Sequence, residues 1–325
     1  MTKELIPEMT ANKGGEARPP AVYAAVLLGL IGLASASVVY AYLDTAPGHT
    51  EAPLAAAAAA APQIGEIDLE ASAAIVLDAV TGDILYERES EAQLPLASLT
   101  KVATVLAVSE VLDPDETIVI PYDTAPQGAA QRLGKGERWS VKDVITFTLV
   151  SSSNLGAQML ADAANTRTAG RYPRAPKDAA VVWRMNDIAR ELGLIHTYFL
   201  NVSGLDISMT QAGSYGSAGD VARLFAFAAS TSPELFSGTT QGGILLVSEQ
   251  GARTSAFNTN EALGSIPGLM LGKTGYTDLA RGNLAVVFDA GIGHPIVAVV
   301  LGSSYEGRFT DMRALVRATR DVLAD

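Results

Sequence analysis

A serine and a lysine stand three residues apart in PLASLTK, at positions 95–101, where an apolar helical pattern begins. A serine hydroxyl is a weak nucleophile until a base takes its proton, and lysine is such a base only when it is neutral. Positions i and i+3 share a helix face, so Ser98 and Lys101 can approach hydrogen-bond distance. Taken alone, the spacing favours a simpler interpretation, in which Ser98 caps the helix and Lys101 is solvated.

Two further stretches change this interpretation. SSSN at 151–154 places hydroxyl and carboxamide groups in an otherwise apolar run, which a core helix disfavours. KTGYT at 273–277 precedes a strand-like run, and a strand edge carrying Lys273 would lower the pKa of Lys101 by like-charge repulsion and attract a carboxylate. The order S-x-x-K, S-x-N, K-T-G is the signature set of penicillin-recognising serine acyl-transferases, and the joint occurrence is far more specific than any one element.

The composition excludes several classes of function. The chain has 325 residues, a formal net charge of −12 and an isoelectric point near 4.7. It therefore lacks the basic surface that phosphate binding requires, and we expect no nucleic-acid partner. The absence of cysteine rules out Cys₄ and Cys₂His₂ zinc sites and any disulfide framework. We expect neither a metal nor a cofactor.

Other familiar motifs for nucleotide binding or serine catalysis also fail. LGKTG at 271–275 contains Gly-Lys-Thr, but a phosphate-binding loop needs a glycine five positions before Gly272, where the chain has Pro267. A G-x-S-x-G elbow is absent. A Ser-His-Asp triad is not expected, because we interpret the histidines as linker, packing and turn residues: His49, His196 and His294.

Residues 21–43 contain no charged side chain. A helix of that length spans about 34 Å, enough to cross a hydrocarbon core of about 30 Å. Lysines and arginines occur before this stretch and not again until Arg88, which places residues 1–20 in the cytoplasm and the rest outside. We predict a single-pass anchor in the inner membrane. A cleaved signal peptide is the alternative, although the apolar stretch exceeds the usual 7–15 or so residues.

The rest of the chain divides into a linker and one globular domain. Residues 44–65 contain seven consecutive alanines between prolines and too few large apolar side chains to pack, so we predict a linker. Residues 66–325 have the composition of a folded domain.

The hydrophobic patterns of this domain predict an α/β (α+β) fold. A hairpin is expected at 71–88 and strands at 243–248, 283–289 and 295–302. The predicted helices are 99–112, 140–164 with an interruption at its polar cluster, 178–193 and 311–324. Strands at both ends with helices between predict an antiparallel sheet closed by the two termini, with an inserted helical lobe.

From about residue 68 to 310 the chain resembles the D-alanyl-D-alanine carboxypeptidases, the low-molecular-weight penicillin-binding proteins of peptidase family S11. The segments that carry the resemblance are PLASLTKVATVLAVSEVL, GKGERWSVKDVI, MNDIARELGLIHTYFLNVSGL and GKTGYTDLARGNL. The resemblance implies a five-stranded antiparallel sheet with helices on both faces, giving three layers, plus a helical lobe. This is the β-lactamase/transpeptidase-like fold, and its active site lies between the sheet and the lobe.

The resemblance also implies a role for each residue of the first two motifs. Ser98 would be the acylated nucleophile and Lys101 its general base. Ser152 would relay protons, and Asn154 would hold the amide of the substrate. Ser152 is chosen within the serine run because it stands two residues before Asn154.

The third motif would bind the end of the substrate. Lys273 and Thr274 would bind its terminal carboxylate, and Gly275 would let the substrate approach the strand. The backbone N–H groups of Ser98 and Tyr276 would form the oxyanion hole. Arg281 departs from the family pattern, in which small residues are common at this position, and could alter substrate preference.

The expected activity is removal of the terminal D-Ala from peptidoglycan stem peptides, with β-lactams as covalent inhibitors at the same serine. A D,D-endopeptidase that cleaves cross-links with the same residues is the main alternative. A class A β-lactamase is disfavoured, since no E-x-x-L-N stretch supplies a deacylating carboxylate. A non-catalytic wall-binding sensor is the alternative from another functional class, and the intact Ser98, Lys101 and Lys273 count against it.

Overall fold

The computed structural model describes residues 62–121 and 132–324. The predicted tail, the apolar segment 21–43 and most of the linker lie outside these ranges. Within them, no helix combines the length and the apolar character needed to cross a bilayer.

The secondary structure alternates between short strands and helices before it ends in three long strands and a helix. The strands are β1 (Ala73–Asp78), β2 (Ile84–Arg88), β3 (Leu94–Pro95), β4 (Thr117–Val119), β5 (Arg138–Ser140), β6 (Tyr198–Phe199), β7 (Ser214–Gly216), β8 (Gly243–Val247), β9 (Arg253–Phe257), β10 (Leu269–Thr277), β11 (Arg281–Asp289) and β12 (Pro295–Ser303). The α-helices are α1 (Thr100–Ser109), α2 (Val141–Val150), α3 (Asn154–Arg171), α4 (Ala180–Glu191), α5 (Ala218–Thr231), α6 (Pro233–Phe236) and α7 (Gly307–Ala324).

The main sheet has five strands in the order β10-β11-β12-β1-β2, and all its neighbouring strands are antiparallel. The first strand pairs with the last, with Ile75 opposite Val299, so the two ends of the domain meet in the sheet as predicted. The predicted hairpin is β1–β2. Strand β10 lies at one edge, so one of its two sides has no neighbouring strand among the described residues.

Both faces of this sheet are buried because successive side chains point to opposite sides and both sets are apolar. One set packs with the helical lobe; it includes Ile75, Val287, Val297 and Val299. The other set packs with α7; it includes Val76, Val286, Phe288, Phe309 and Leu315. The predicted three-layer architecture is therefore confirmed.

The helix predicted over 140–164 is divided in two at its polar cluster, as expected. Ser140 caps α2 by accepting a hydrogen bond from the backbone N–H of Asp143 at 3.1 Å. Ser153 caps α3 by accepting from the backbone N–H of Gly156 at 3.0 Å. Only Ser153 lies at the break, and its cap helps to start the second helix there, since it satisfies a backbone donor that no helical carbonyl can reach.

The structure corrects two details of the sequence interpretation. Ser98 does not cap a helix: it lies in the 3₁₀ turn Ala97–Leu99, and neither this turn nor α1 has a side-chain cap. The last helix begins at Gly307, one turn before the predicted start. The apolar periodicity does not mark that first turn, because it includes Arg308, which the sequence gives no reason to bury.

Candidate active site

Ser98 is held by a turn that is tightly packed on two sides. A Cβ atom on Gly204 would lie 1.8 Å from the carbonyl oxygen of Ala97, and one on Gly275 would lie 2.8 Å from that of Leu96. Ala97 itself has a positive φ of 48° and is fully buried. Only glycine allows the two segments to approach this closely. The turn that presents Ser98 is therefore fixed by the third motif and by Asn-x-x-Gly-Leu at 201–205, the end of the segment MNDIARELGLIHTYFLNVSGL.

Lys101 is fully buried in α1, one turn after Ser98. Its Nζ lies 2.8 Å from each of three oxygens: Ser98 Oγ, Asn154 Oδ1 and the carbonyl oxygen of Ser203. A carboxamide oxygen and a carbonyl oxygen only accept hydrogen bonds, whereas a hydroxyl can also donate. A neutral amine here gives its two N–H groups to Asn154 and Ser203. Its lone pair then faces the Ser98 hydroxyl, the geometry needed to take the proton.

The electrostatics favour the neutral amine. Burial lowers the pKa of Lys101 well below its ordinary value of 10.5, and the nearby charge of Lys273 lowers it further. Burial is the larger cause, because the charged form loses its hydration without gaining a carboxylate partner among the described residues. The like-charge effect proposed from the sequence is present as the smaller contribution.

A backbone turn that the sequence analysis did not identify orients this lysine. Asn201 Oδ1 accepts from the backbone N–H groups of Ser203 at 3.1 Å and Gly204 at 2.7 Å, and its Nδ2 donates to the carbonyl of Leu205 at 2.8 Å. Gly204 has a φ of 75°. The turn aims the Ser203 carbonyl at Lys101. Asn-x-x-Gly-Leu belongs to a segment that carries the family resemblance, but the sequence does not show which carbonyl reaches the lysine.

The second motif lies between the two lysines. Ser152 is in the left-handed region with a φ of 58°, and its Oγ accepts from Lys273 Nζ at 2.8 Å. Asn154 opens α3 and places its Oδ1 on Lys101. The polar break between α2 and α3 therefore contacts both lysines, and the side-chain amide N–H₂ of Asn154 is left to donate elsewhere.

Lys273 is almost completely buried in edge strand β10. Its Nζ also donates to the carbonyl of Thr274 at 2.9 Å. Burial and the positive charge of Arg308 lower the pKa of Lys273 to about 7. Arg308 is itself 3% exposed, and its Nη1 donates to the carbonyl of Gly275 at 2.9 Å while its guanidinium lies 4.3 Å from the centroid of the Tyr305 ring. No sequence pattern indicated Arg308, which follows the motif by more than thirty residues.

The remaining residues of the third motif line the same strand. Thr274 is buried, and its Oγ1 lies 2.5 Å from that of Thr259. Gly275 packs against the turn that carries Ser98. Tyr276 is about half exposed, with its ring edge-on to Tyr305 at 5.1 Å.

The structure thus brings the predicted residues of all three motifs into one constellation around Ser98. The elements that do so are the 3₁₀ turn before α1, the α2–α3 break and strand β10. One lysine is placed to accept the proton of a serine, and a second presents its charge beside the same serine cluster. This arrangement suits acyl transfer from a substrate that ends in a carboxylate.

Comparisons with known proteins agree with this geometry. The sequence pattern of the D-alanyl-D-alanine carboxypeptidase family, peptidase family S11, matches residues 56–305. The chain belongs to this family. It is 29% identical over 265 residues to D-alanyl-D-alanine carboxypeptidase DacF of Bacillus subtilis, an alignment that covers 78% of this chain and 63% of that relative.

Two further similar proteins carry other names. The chain is 28% identical over 258 residues to a D-alanyl-D-alanine endopeptidase of Pseudomonas aeruginosa, covering 78% of this chain and 77% of that one. Among solved structures, it resembles penicillin-binding protein D2 of Listeria monocytogenes in its cefotaxime-bound form. The TM-score is 0.64 and the identity 29%, over 78% of this chain and 98% of that one.

The buried lysines predict an unusual pH dependence of stability. Between about pH 7 and 10 the unfolded chain binds more protons at Lys101 and Lys273 than the folded chain, because folding lowers both pKa values. The free energy of unfolding should therefore rise with pH in this window, by up to about 1.4 kcal/mol per pH unit for each such lysine. Lys273→Met should reduce the rise, as measured by urea denaturation at several pH values.

Lys177→Met is the matched control, since Lys177 is an exposed lysine and its removal should leave the profile unchanged. Parallel profiles for the wild type and Lys273→Met would contradict the assignment of a lowered pKa to Lys273.

Proposed function

We propose that the protein is a serine D,D-carboxypeptidase that removes the terminal D-Ala from peptidoglycan stem pentapeptides. Lys101 takes the proton of Ser98 as Oγ attacks the carbonyl carbon of the penultimate D-Ala. The peptide bond breaks, the terminal D-Ala leaves as its amine receives that proton, and an ester remains on Ser98. Water then hydrolyses the ester. The observation that carries the proposal is the Lys101 amine, 2.8 Å from Ser98 Oγ with both its N–H groups engaged by acceptors.

The charge distribution of the site supports a substrate with a carboxylate end. Lys273 and Arg308 are buried cations, and among the described residues neither forms an ion pair with a carboxylate. An anionic group arriving beside them would offset the cost of burying two like charges. Lys273 and Thr274 are the expected contacts of the terminal carboxylate, and the backbone N–H groups of Ser98 and Tyr276 form the proposed oxyanion hole.

Ser152 and Asn154 complete the proposed mechanism. Ser152 Oγ contacts Lys273 and relays protons in the cluster, and Asn154 holds Lys101 with its oxygen while its amide N–H₂ is positioned for the carbonyl of the substrate. Gly275 keeps strand β10 close to the nucleophile turn. β-Lactams are the expected covalent inhibitors, in line with the antibiotic-bound structural relative.

A D,D-endopeptidase is the second candidate. Relatives named D-alanyl-D-alanine endopeptidases, in Pseudomonas aeruginosa and Escherichia coli, match this chain at 28% identity. Cleavage of a cross-link needs the same nucleophile and base as removal of a terminal D-Ala. The two reactions differ in the size of the leaving group that the site must accommodate beyond the scissile bond. The cross-linked substrate therefore separates the two candidates.

The test uses the full chain with a reporter penicillin and a pentapeptide ending in D-Ala-D-Ala. We expect a covalent adduct and release of D-Ala, and Ser98→Ala should abolish both, since no other group supplies the nucleophile. Ser230→Ala, which removes an exposed hydroxyl on α5, should change neither. Mass spectrometry and a D-alanine assay provide the measurements.

Neither an adduct nor free D-Ala from the wild type would contradict the enzymatic proposal. An adduct without D-Ala release, together with cleavage of a cross-linked dimer of stem peptides, would select the endopeptidase. An adduct without release of D-Ala and without cleavage of the cross-linked dimer would favour a penicillin-binding sensor.

We also propose that residues 21–43 anchor the chain in the inner membrane, with residues 66–325 on the extracytoplasmic side beyond the 44–65 linker. The support is the uncharged 23-residue stretch and the positive residues that precede it. The full chain should remain in the membrane fraction after alkaline carbonate extraction, and a variant lacking 21–43 should not. Recovery in the soluble fraction of a shortened chain that starts after the small residues ASAS at 34–37 would show a cleaved signal peptide instead.

A further inference from the structure

Thr259 contacts the third motif although neither the sequence pattern nor the proposed mechanism gives it a role. Its Oγ1 lies 2.5 Å from Oγ1 of Thr274, the hydroxyl expected to bind the substrate carboxylate. Thr274 is 4% exposed, and among the described residues neither hydroxyl has another hydrogen-bond partner. The two hydroxyls therefore form an isolated pair beside the cationic end of the site.

The segment that carries Thr259 is held rigidly by hydrogen bonds. Asn258 Nδ2 donates to the carbonyls of Thr239 at 2.8 Å and Gln241 at 2.9 Å, and its Oδ1 accepts from the backbone N–H of Asn260 at 2.9 Å. The backbone N–H of Thr259 donates to the carbonyl of Val150 at 3.3 Å, where α2 ends. Thr259 is thus fixed to the same helix end that leads into the second motif, so its hydroxyl has a defined position.

The number of hydroxyl hydrogens determines which threonine can donate a hydrogen bond to an anion. Two hydroxyls carry two hydrogens; one lies between the oxygens and the other is free to donate outward. A carboxylate is an acceptor only, so it takes the free hydrogen. If Thr274 contacts the carboxylate, Thr259 must be the donor within the pair, and its hydrogen bond polarises the Thr274 hydroxyl into a stronger donor.

We propose that Thr259 is a specificity-determining residue that orients the Thr274 hydroxyl toward the terminal carboxylate of the substrate. This inference rests on the proposed function, in which Thr274 binds that carboxylate. Thr259 acts through Thr274 and is therefore a positioning residue. Its contribution should be larger for a charged carboxylate than for a neutral carboxamide, because hydrogen bonds to ionised acceptors are roughly twice as strong.

The experiment compares Thr259→Val, which keeps the shape and removes the hydroxyl, with Thr259→Ser, which keeps the hydroxyl. Each full-length variant is assayed for kcat and KM on an N-acylated peptide ending in D-Ala-D-Ala and on the same peptide with a C-terminal carboxamide. We expect Thr259→Val to lower kcat/KM for the free acid by about 2–10-fold. The carboxamide should change less, so the preference for the acid falls, and Thr259→Ser should retain the wild-type preference.

A second measurement keeps the inference testable if the wild type releases no D-Ala, a result that would count against the proposed function. The rate of Ser98 acylation by a penicillin is compared with that by its methyl ester, which lacks the charged carboxylate. Thr259→Val should slow acylation by the acid more than by the ester. Equal losses for both forms, no loss for either, or a gain for the acid would overturn the inference.

Discussion

Lys101 is buried with no carboxylate partner in the described part of the chain, and the rest of the site depends on this constraint. A charged ammonium at this position would lose its hydration, so burial lowers the pKa and the neutral amine becomes accessible. Asn154 Oδ1 and the Ser203 carbonyl oxygen accept the two N–H groups of the neutral Lys101 amine. Its lone pair then faces the hydroxyl of Ser98. The close contacts of Gly204 and Gly275 with the turn at Leu96 and Ala97 hold that hydroxyl in place. The position of the nucleophile therefore depends on the packing of these two glycines.

Lys273, the second lysine, is proposed to act in its charged form, whereas Lys101 acts in its neutral form. Burial disfavours the charged form of both lysines. In the proposed mechanism Lys273 must be charged to attract a carboxylate, yet burial and Arg308 bring its pKa to about 7. It is therefore poised to gain its proton when an anion arrives. Lys273 lowers the pKa of Lys101, while burial and Arg308 lower the pKa of Lys273, and in the proposed mechanism an anionic substrate would offset the repulsion between Lys273 and Arg308. In this proposal a carboxylate beside Lys273 favours its charged form, and that charge keeps Lys101 neutral, so substrate binding is coupled to activation of Ser98.

Much of the fold and of the candidate site could be predicted from the sequence, but the roles of several residues could not. The three motifs located Ser98, Lys101 and Lys273, and strand patterns at both ends of the domain predicted an antiparallel sheet closed by the two ends. The contacts of Arg308, Ser203 and Thr259 were missed, because they act through a guanidinium, a backbone carbonyl and a hydroxyl whose importance depends on tertiary proximity. Local patterns report periodicity and capping, and they do not report which distant carbonyl faces a lysine.

The protonation state of Lys101 in the substrate-free protein tests this account most directly. The side-chain chemical shifts of lysines labelled with ¹³C at Cε can be followed against pH by NMR, with Lys101 assigned by its loss in Lys101→Arg. The account predicts that the Lys101 signal titrates well below 10.5 and moves toward higher pH in Lys273→Met, because the neighbouring cation is gone. A Lys101 signal that titrates near 10.5 in both proteins would contradict a neutral lysine base.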